Sequence, residues 1–190
     1  MSSSQEITHT TIKNLVKECN NSNAMKVNLR KWTIEDLPLI QEILWKTWIT
    51  SLGNFIPEDD LRKYFLEHYN DNTLLTRLYQ QNTDCFIAQV NDNITVAVEI
   101  TNFNQERYNV SSLYVLPEFQ TMGIGKKLLR LAVKEAQSLG LNKVWIGVMT
   151  DNKKALDWYS KFGFNITERL PFTMGKTTVS LYIGYIMFNC

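Results

Sequence analysis

The chemistry-bearing part of this 190-residue chain is a strand that stops at a proline and passes into a helix through two glycines. It runs Val110-Ser-Ser-Leu113-Tyr114-Val115-Leu-Pro117-Glu-Phe-Gln120-Thr121-Met122-Gly123-Ile124-Gly125-Lys126. Without Cβ atoms at 123 and 125, main-chain N–H groups can come close to a ligand. The helix that starts there adds the positive end of its dipole, so the loop reads as a site for a phosphate-like anion. A Walker loop does not fit, because Gly125-Lys126 is followed by Lys127 and no glycine stands at 120. A dinucleotide fingerprint does not fit either, since Leu128 occupies the place of its third glycine. The second informative stretch is Asn152-Lys-Lys-Ala155-Leu-Asp-Trp158-Tyr159-Ser-Lys-Phe162-Gly163-Phe164. Taken alone, Tyr159 reads as a core aromatic, as do Trp158 and Phe162.

The elements that must hold these residues follow from periodicity. Val27 to Trp32 alternates as a strand, and Thr33 with Asp36 has capping-box spacing ahead of a helix over about 34–47. Pro57 with Glu58, Asp59 and Asp60 suits the first turn of a second helix. A third helix is expected at about 72–81. His68 falls on an otherwise apolar helix face and reads as a packed core histidine. From Asp84 the period changes to two. Strands are expected at 85–90 and 94–100 around an Asn91-Asp92-Asn93 turn, and again at 107–116 up to Pro117. A helix over 123–139 ending at Gly140, a strand 143–149, a helix 152–162 and a last strand 179–188 complete the chain. The order β-α-α-β-β-β-α-β-α-β predicts an α+β fold with a mixed sheet, parallel pairing confined to the second half.

Length and composition allow one domain over 26–190 with a sizeable core, preceded by a flexible extension over 1–25. In that extension Ile12, Leu15, Val16 and Cys19 have the spacing of a short docked helix. It has no apolar stretch of signal-peptide type, and nowhere is there a run of roughly 18 apolar residues for a membrane span. The cysteines, Cys19, Cys85 and Cys190, are too few and too scattered for a disulfide framework. With only two histidines they form no zinc pattern, so no metal is expected and a cytoplasmic location is. The net charge of +1 argues against a nucleic-acid binder. It hides a segregation: residues 27–110 carry 7 basic and 12 acidic side chains, residues 111–190 carry 10 and 5. Chance clustering explains this, and so do two halves that meet ligands of opposite sign.

Gln120-x-x-Gly123-x-Gly125 after a Tyr-Val-x-Pro-Glu strand end resembles the acetyl-CoA signature of the GCN5-related N-acetyltransferases (GNATs). Asn152, Ala155, Tyr159, Gly163 and Phe164 are similar to the family's Asn-x-x-Ala-x-x-x-Tyr-x-x-x-Gly-Phe segment. The resemblance spans about 84–188. It implies the GNAT fold: a central mixed, mostly antiparallel sheet with helices on both faces. It implies acetyl-CoA as donor, with the pantetheine arm held by the backbone of Leu113, Tyr114 and Val115. The pyrophosphate then falls to Gln120, Thr121, Met122, Gly123, Ile124, Gly125 and Lys126, and Asn152 contacts the cofactor. Thr121 and Met122 stand where the family often has glycine and a basic residue, a loss of charge that Lys126 and Lys127 offset in part.

The resemblance further implies direct attack of a neutral amine on the thioester in a ternary complex, with the Val115 N–H polarising the carbonyl. Tyr159 would face the sulfur and protonate the leaving thiolate; a phenol near about 10 serves a thiolate near about 8.5 only when well placed. The positions where relatives carry a basic glutamate are Asn109 and Gly147 here. Glu99 is the leading substitute, on the Thr95, Ala97, Glu99, Thr101 face of its strand; an ion-paired or solvated glutamate, or water-mediated deprotonation, are the other readings. Residues 47–75 are similar to the PaiA-type polyamine acetyltransferases at Thr47-Trp48, Asn54, Pro57-Glu58, Tyr64-Phe65, Asn72 and Leu74-Leu75. A polyamine acceptor would draw on Glu58, Asp59, Asp60, Glu99, Trp48, Phe55 and Tyr69. A protein N-terminus or lysine, an aminoglycoside or another small amine are alternative acceptors. A CoA-binding sensor without turnover is the reading of another class. A homodimer is possible, and no membrane or nucleic-acid partner is expected.

Overall fold

The computed structural model describes residues 26–91 and 94–188. The expected N-terminal extension and most of the Asn91–Asn93 turn lie outside the described residues. In chain order come β1 (Val27–Lys31), α1 (Leu37–Leu52), α2 (Glu58–His68), α3 (Asp71–Tyr79), β2 (Thr83–Val90), β3 (Ile94–Asn104), β4 (Arg107–Val115), α4 (Ile124–Ser138), β5 (Lys143–Met149), α5 (Lys153–Ser160), β6 (Asn165–Met174) and β7 (Thr177–Met187). Short 3-10 turns precede α1 (Ile34–Asp36) and follow β4 (Pro117–Phe119). One seven-stranded sheet runs β1-β2-β3-β4-β5-β7-β6. Only β4 and β5 are parallel; the other pairings are antiparallel.

Local chemistry starts the elements where the sequence indicates. The Thr33 N–H donates to Asp36 Oδ2 at 2.7 Å, and Arg30 grips the same carboxylate with both terminal nitrogens at 2.7 and 2.8 Å. Asn70 caps α3 by accepting from the Thr73 N–H at 3.0 Å. Two apolar cores result. Leu37, Ile40, Ile43, Leu44 and Trp48 of α1, with Leu61 and Leu74 of α2 and α3, bury one sheet face. Leu129, Ala132 and Ala136 of α4 pack with Tyr108, Val110, Val144, Ile146 and Tyr159 on the other.

Two expectations need correction. β6 is a full strand that the sequence reading missed. Asn-Ile-Thr-Glu-Arg-Leu-Pro-Phe-Thr-Met shows no clean alternation and carries Pro171, which fits because β6 is an edge strand exposed along nearly its whole length. His68 is an exposed residue, its ring 4.1 Å from that of Tyr64, rather than a packed core histidine.

Two irregularities in β4 build the site. Thr101 opposes Val110 and Ile100 opposes Ser112, so Ser111 is an extra residue, a bulge. One inserted residue reverses the faces beyond it. Ser112 and Tyr114 therefore turn to the α1–α3 side, where Ser112 meets the Tyr69 hydroxyl at 3.3 Å and Tyr114 lies 6.3 Å from Trp48. Leu113 turns to the α4 side, toward Gly125. The second irregularity is a divergence: β4 and β5 pair only from Tyr108–Val110 with Val144–Ile146. Beyond those pairs they separate, although each strand continues.

Candidate active site

The gap between β4 and β5 offers unpaired backbone. The Leu116 N–H donates to Val96 on β3 at 2.9 Å. Alternation along an extended strand then points the N–H groups of Val115 and Leu113 away from β3, into the gap. The gap is thus lined by main-chain donors of Leu113 and Val115 that have no partner on β3. Tyr114 contributes its backbone to the ladder with β3 opposite Val98, and its side chain to the far face.

At the end of the gap the glycine loop closes. Thr121 (φ 71°) and Gly123 (φ 77°) are both left-handed, which turns the chain tightly enough for α4 to start at Ile124. The first-turn N–H groups of α4 lack intrahelical partners and face the same point. Gln120 braces this loop: its Nε2 donates to the Val115 carbonyl at 3.0 Å, and its Oε1 accepts from Lys154 Nζ on α5. Met122 is half-buried beside the larger core, while Lys126, Lys127 and Lys154 are exposed around the loop. The residues fit a CoA-type pyrophosphate: free amides, a helix N-terminus and basic side chains. Asn152 is the N-cap of α5, its Oδ1 accepting from the Ala155 N–H at 3.1 Å. It therefore fixes the helix that carries Tyr159.

Tyr159 is buried at 7% exposure, 4.8 Å from the Trp158 ring. It packs in the α4-side core with Val110, Ile146 and Val148, beside the point where β4 and β5 part. Burial first, and Glu99 second, push the phenol well above its ordinary range, so Tyr159 is a neutral donor at any physiological pH. Glu99 is 0% exposed on β3, opposite Phe86 and Leu113. Burial, reinforced by Asp84, raises its pKa well above 4.5. It lies on the α4 face, away from Ser112, Tyr69 and Tyr114, where burial disfavours its charged form. Sealed from solvent on that face, it is not placed as the open general base its strand alternation singled out.

The two alternative base positions are structurally committed. Asn109 Nδ2 bonds the Asn102 carbonyl, Asn104 Oδ1 and the Arg107 carbonyl at 3.1 to 3.3 Å. A Cβ on Gly147 would lie 3.2 Å from Leu181 and 3.3 Å from Ile183, so that position is roofed by aliphatic side chains.

The far face, between α2 and the β6–β7 hairpin, holds the aromatic rings of Tyr64, Tyr114 and Phe172, Tyr64 and Phe172 being 5.6 Å apart. Of the acceptor candidates, Trp48 and Tyr69 are buried at 2% and 8% and support this wall, and Phe55 is half-buried. The carboxylates are engaged elsewhere. Asp60 accepts from the Lys176 N–H at 2.8 Å and the Thr177 hydroxyl at 2.6 Å, which tie α2 to the hairpin and lower its pKa. Glu58 pairs with Arg62, and Asp59 is exposed. Asp36 and Asp84 likewise pair with Arg30 and Lys31. Asp36, Glu58 and Asp84 of the acidic 27–110 segment are thus held in ion pairs and Asp60 by the hairpin, so these four do not form an acidic cleft.

The sequence model of the acetyltransferase (GNAT) family matches residues 37–164. This chain belongs to the GNAT family. As a GNAT it is an acetyl-CoA-dependent N-acetyltransferase. It is 26% identical over 157 residues to a spermidine N(1)-acetyltransferase of Thermoplasma acidophilum, across 80% of this chain and 98% of that one. Its fold is that of the PaiA N-acetyltransferase of Thermoplasma acidophilum solved with coenzyme A. The TM-score is 0.76 at 21% identity, covering 86% of this chain and all of the other. It is also similar to spermidine N-acetyltransferase from Vibrio cholerae in complex with CoA and spermine. There the TM-score is 0.61 at 19% identity, over 85% and 95% of the two chains. The GNAT fold, the PaiA-type likeness and the acetyl-CoA signature thus agree with the sequence reading. Three contacts escaped it: Lys154 on Gln120, the Tyr69–Ser112 hydroxyl pair, and Trp158 against Gly125. Each joins segments far apart in the chain, so spacing alone holds no trace of them.

Proposed function

We propose that this GNAT acetylates a primary amine of a small polyamine-type acceptor, by direct attack of the neutral amine on acetyl-CoA in a ternary complex. The observation that carries the reading is the gap beyond Val110 and Ile146, with free amides at Leu113 and Val115 and Tyr159 on its wall. Acetyl-CoA supplies the thioester. The Val115 N–H stabilises the developing oxyanion, Tyr159 hands its proton to the thiolate, and water takes the amine proton. Direct attack is supported by the cysteine inventory. Cys85, the free cysteine among the described residues, is buried and its thiol is pushed up to about 12, so it is no acyl carrier.

A polyamine is supported by the Thermoplasma relative and by the aromatic faces of Tyr64, Tyr114 and Phe172, which attract an ammonium group. One observation favours a second reading, the N-terminus of a peptide with an apolar side chain: the carboxylates Glu58 and Asp60 are turned to other tasks, leaving the wall aromatic. Thioester consumption measured with spermidine, an aminoglycoside and peptides beginning in Met or Ser tests both. Spermidine turning over at least tenfold faster than the peptides supports the first; the reverse order replaces it with the second.

A further inference from the structure

An extended residue sends its own N–H and C=O to the same side of its strand. Because the Leu116 N–H bonds Val96 on β3, both main-chain groups of Val115 face the gap between β4 and β5. The carbonyl of this pair is taken: Gln120 Nε2 donates to it at 3.0 Å. The other end of the same amide is held as well. Gln120 Oε1 accepts from Nζ of Lys154, an exposed residue in the first turn of α5. The ammonium draws electron density toward Oε1, which makes the Nε2–H a stronger donor. An ammonium, an amide and a main-chain carbonyl are thus linked in series, from the surface of α5 to the gap.

The place of that carbonyl gives the series its consequence. An oxyanion that forms at the Val115 N–H has the Val115 oxygen as its neighbour on the same side of the strand. A bare carbonyl there would turn the negative end of its dipole toward the developing charge and oppose it. Bonded to Gln120, the same dipole is offset by a donor that Lys154 has strengthened. The family resemblance gives Gln120 to the pyrophosphate, yet both polar atoms of its side chain are engaged by protein groups. We propose that Gln120 is a positioning residue that works through Val115, screening the acyl end of the cofactor from the Val115 carbonyl, with Lys154 polarising the amide. The inference rests on the acetyl-transfer reading above.

The test uses S-acetylpantetheine, a donor with the thioester and the pantetheine arm but no pyrophosphate, and the fastest amine of the panel. Full-length wild type, Gln120→Leu and Gln120→Glu are compared. Leucine removes the donor; glutamate keeps the shape and the Lys154 partner but turns an oxygen toward the carbonyl. Gln120→Leu should lower kcat about tenfold and Gln120→Glu should lower it further, with KM for the truncated donor within about twofold of wild type. A side chain that only braces the loop gives the reverse order, because glutamate still bridges to Lys154 and leucine does not. That reverse order overturns the proposal. So does a wild-type kcat for both variants with the truncated donor and a raised KM for acetyl-CoA, which returns Gln120 to the pyrophosphate. Should the Gln120 variants fold poorly, Lys154→Met at its exposed position should still lower kcat about twofold or more, and an unchanged value counts against the proposal. Should wild type leave the truncated donor untouched, the same order of kcat is read with saturating acetyl-CoA, and its reversal again overturns the proposal. Wild-type protein inactive on every amine with acetyl-CoA overturns instead the acetyl-transfer reading.

Discussion

Gly125 at the start of α4 and Trp158 in α5 meet across the cofactor loop: a Cβ on Gly125 would sit 3.2 Å from the indole ring. Leu113 closes the same corner, 3.7 Å from that Cβ position. The second glycine of the loop is therefore needed for packing between two helices as much as for backbone approach to phosphate. Gly125→Ala should be tolerated with a small shift of Trp158. Gly125→Val should displace the ring, disturb the loop and raise the Kd for acetyl-CoA about tenfold or more in calorimetry. Unchanged affinity in the valine variant would show that the contact is incidental.

Tyr159→Phe should lower kcat by about a hundredfold while the acetyl-CoA Kd stays within about twofold. The ring keeps its place between Trp158 and Phe164, so packing is preserved and only the proton donor is lost. Near-normal kcat would remove Tyr159 from the reaction.

Asp60 ties the N-terminal turn of α2 to the β6–β7 hairpin, and Gly175 in that hairpin leaves no room for a side chain beside it. Asp60→Ala should free the hairpin that carries Phe172. The KM for the amine should rise several-fold with the acetyl-CoA Kd unchanged, because the cofactor loop lies elsewhere. An equal rise in both constants would mean a general loss of structure.

The pH dependence of stability follows from Glu99. Its pKa is raised in the folded state, mainly by burial, from an ordinary 4.5. The unfolded chain therefore releases this proton first as pH rises. The contribution is fully present below about pH 4.5 and is lost progressively toward the raised folded value. Glu99→Gln has no proton to release. Its Tm should match that of wild type near pH 4 and exceed it at pH 8; a constant difference at all pH values would mean that Glu99 is not held neutral.

Cys85 should resist alkylation in the folded protein. Burial holds its thiol near 12, and its sulfur points at the Arg77 carbonyl 3.8 Å away. Iodoacetamide treatment at pH 8 followed by peptide mass mapping should leave the Cys85 peptide unmodified until denaturant is added. Rapid modification would show that β2 opens.

The chain's local chemistry was legible wherever one element decides it. The strand end at Pro117, the glycine turn, the Asn152 cap and the Tyr159 segment each lie within a few residues, and each stands in the structure as spacing predicts. The pattern alone pointed to a mixed α+β sheet, and the GNAT fold came from the family resemblance that those segments carry.

What spacing could not show is which face a side chain serves. The Ser111 bulge reverses the end of β4, and nothing in Val-Ser-Ser-Leu-Tyr-Val marks where an extra residue enters the ladder. That one residue sends Tyr114 to the α1–α3 side and Leu113 to the α4 side. The polar alternation of β3 correctly put Glu99 on a face with Thr95 and Thr101, but could not tell that α4 buries that face. The carboxylates of α2 had the composition of a cation site, yet Asp60 is held by a hairpin more than a hundred residues away. Short-range sterics and hydrogen bonding fix turns, caps and strand ends, and those the sequence determined by itself. Burial and partnership depend on contacts between distant segments, so only the tertiary structure decided which acids are paired and which one, Glu99, is sealed in the core without a hydrogen-bond partner.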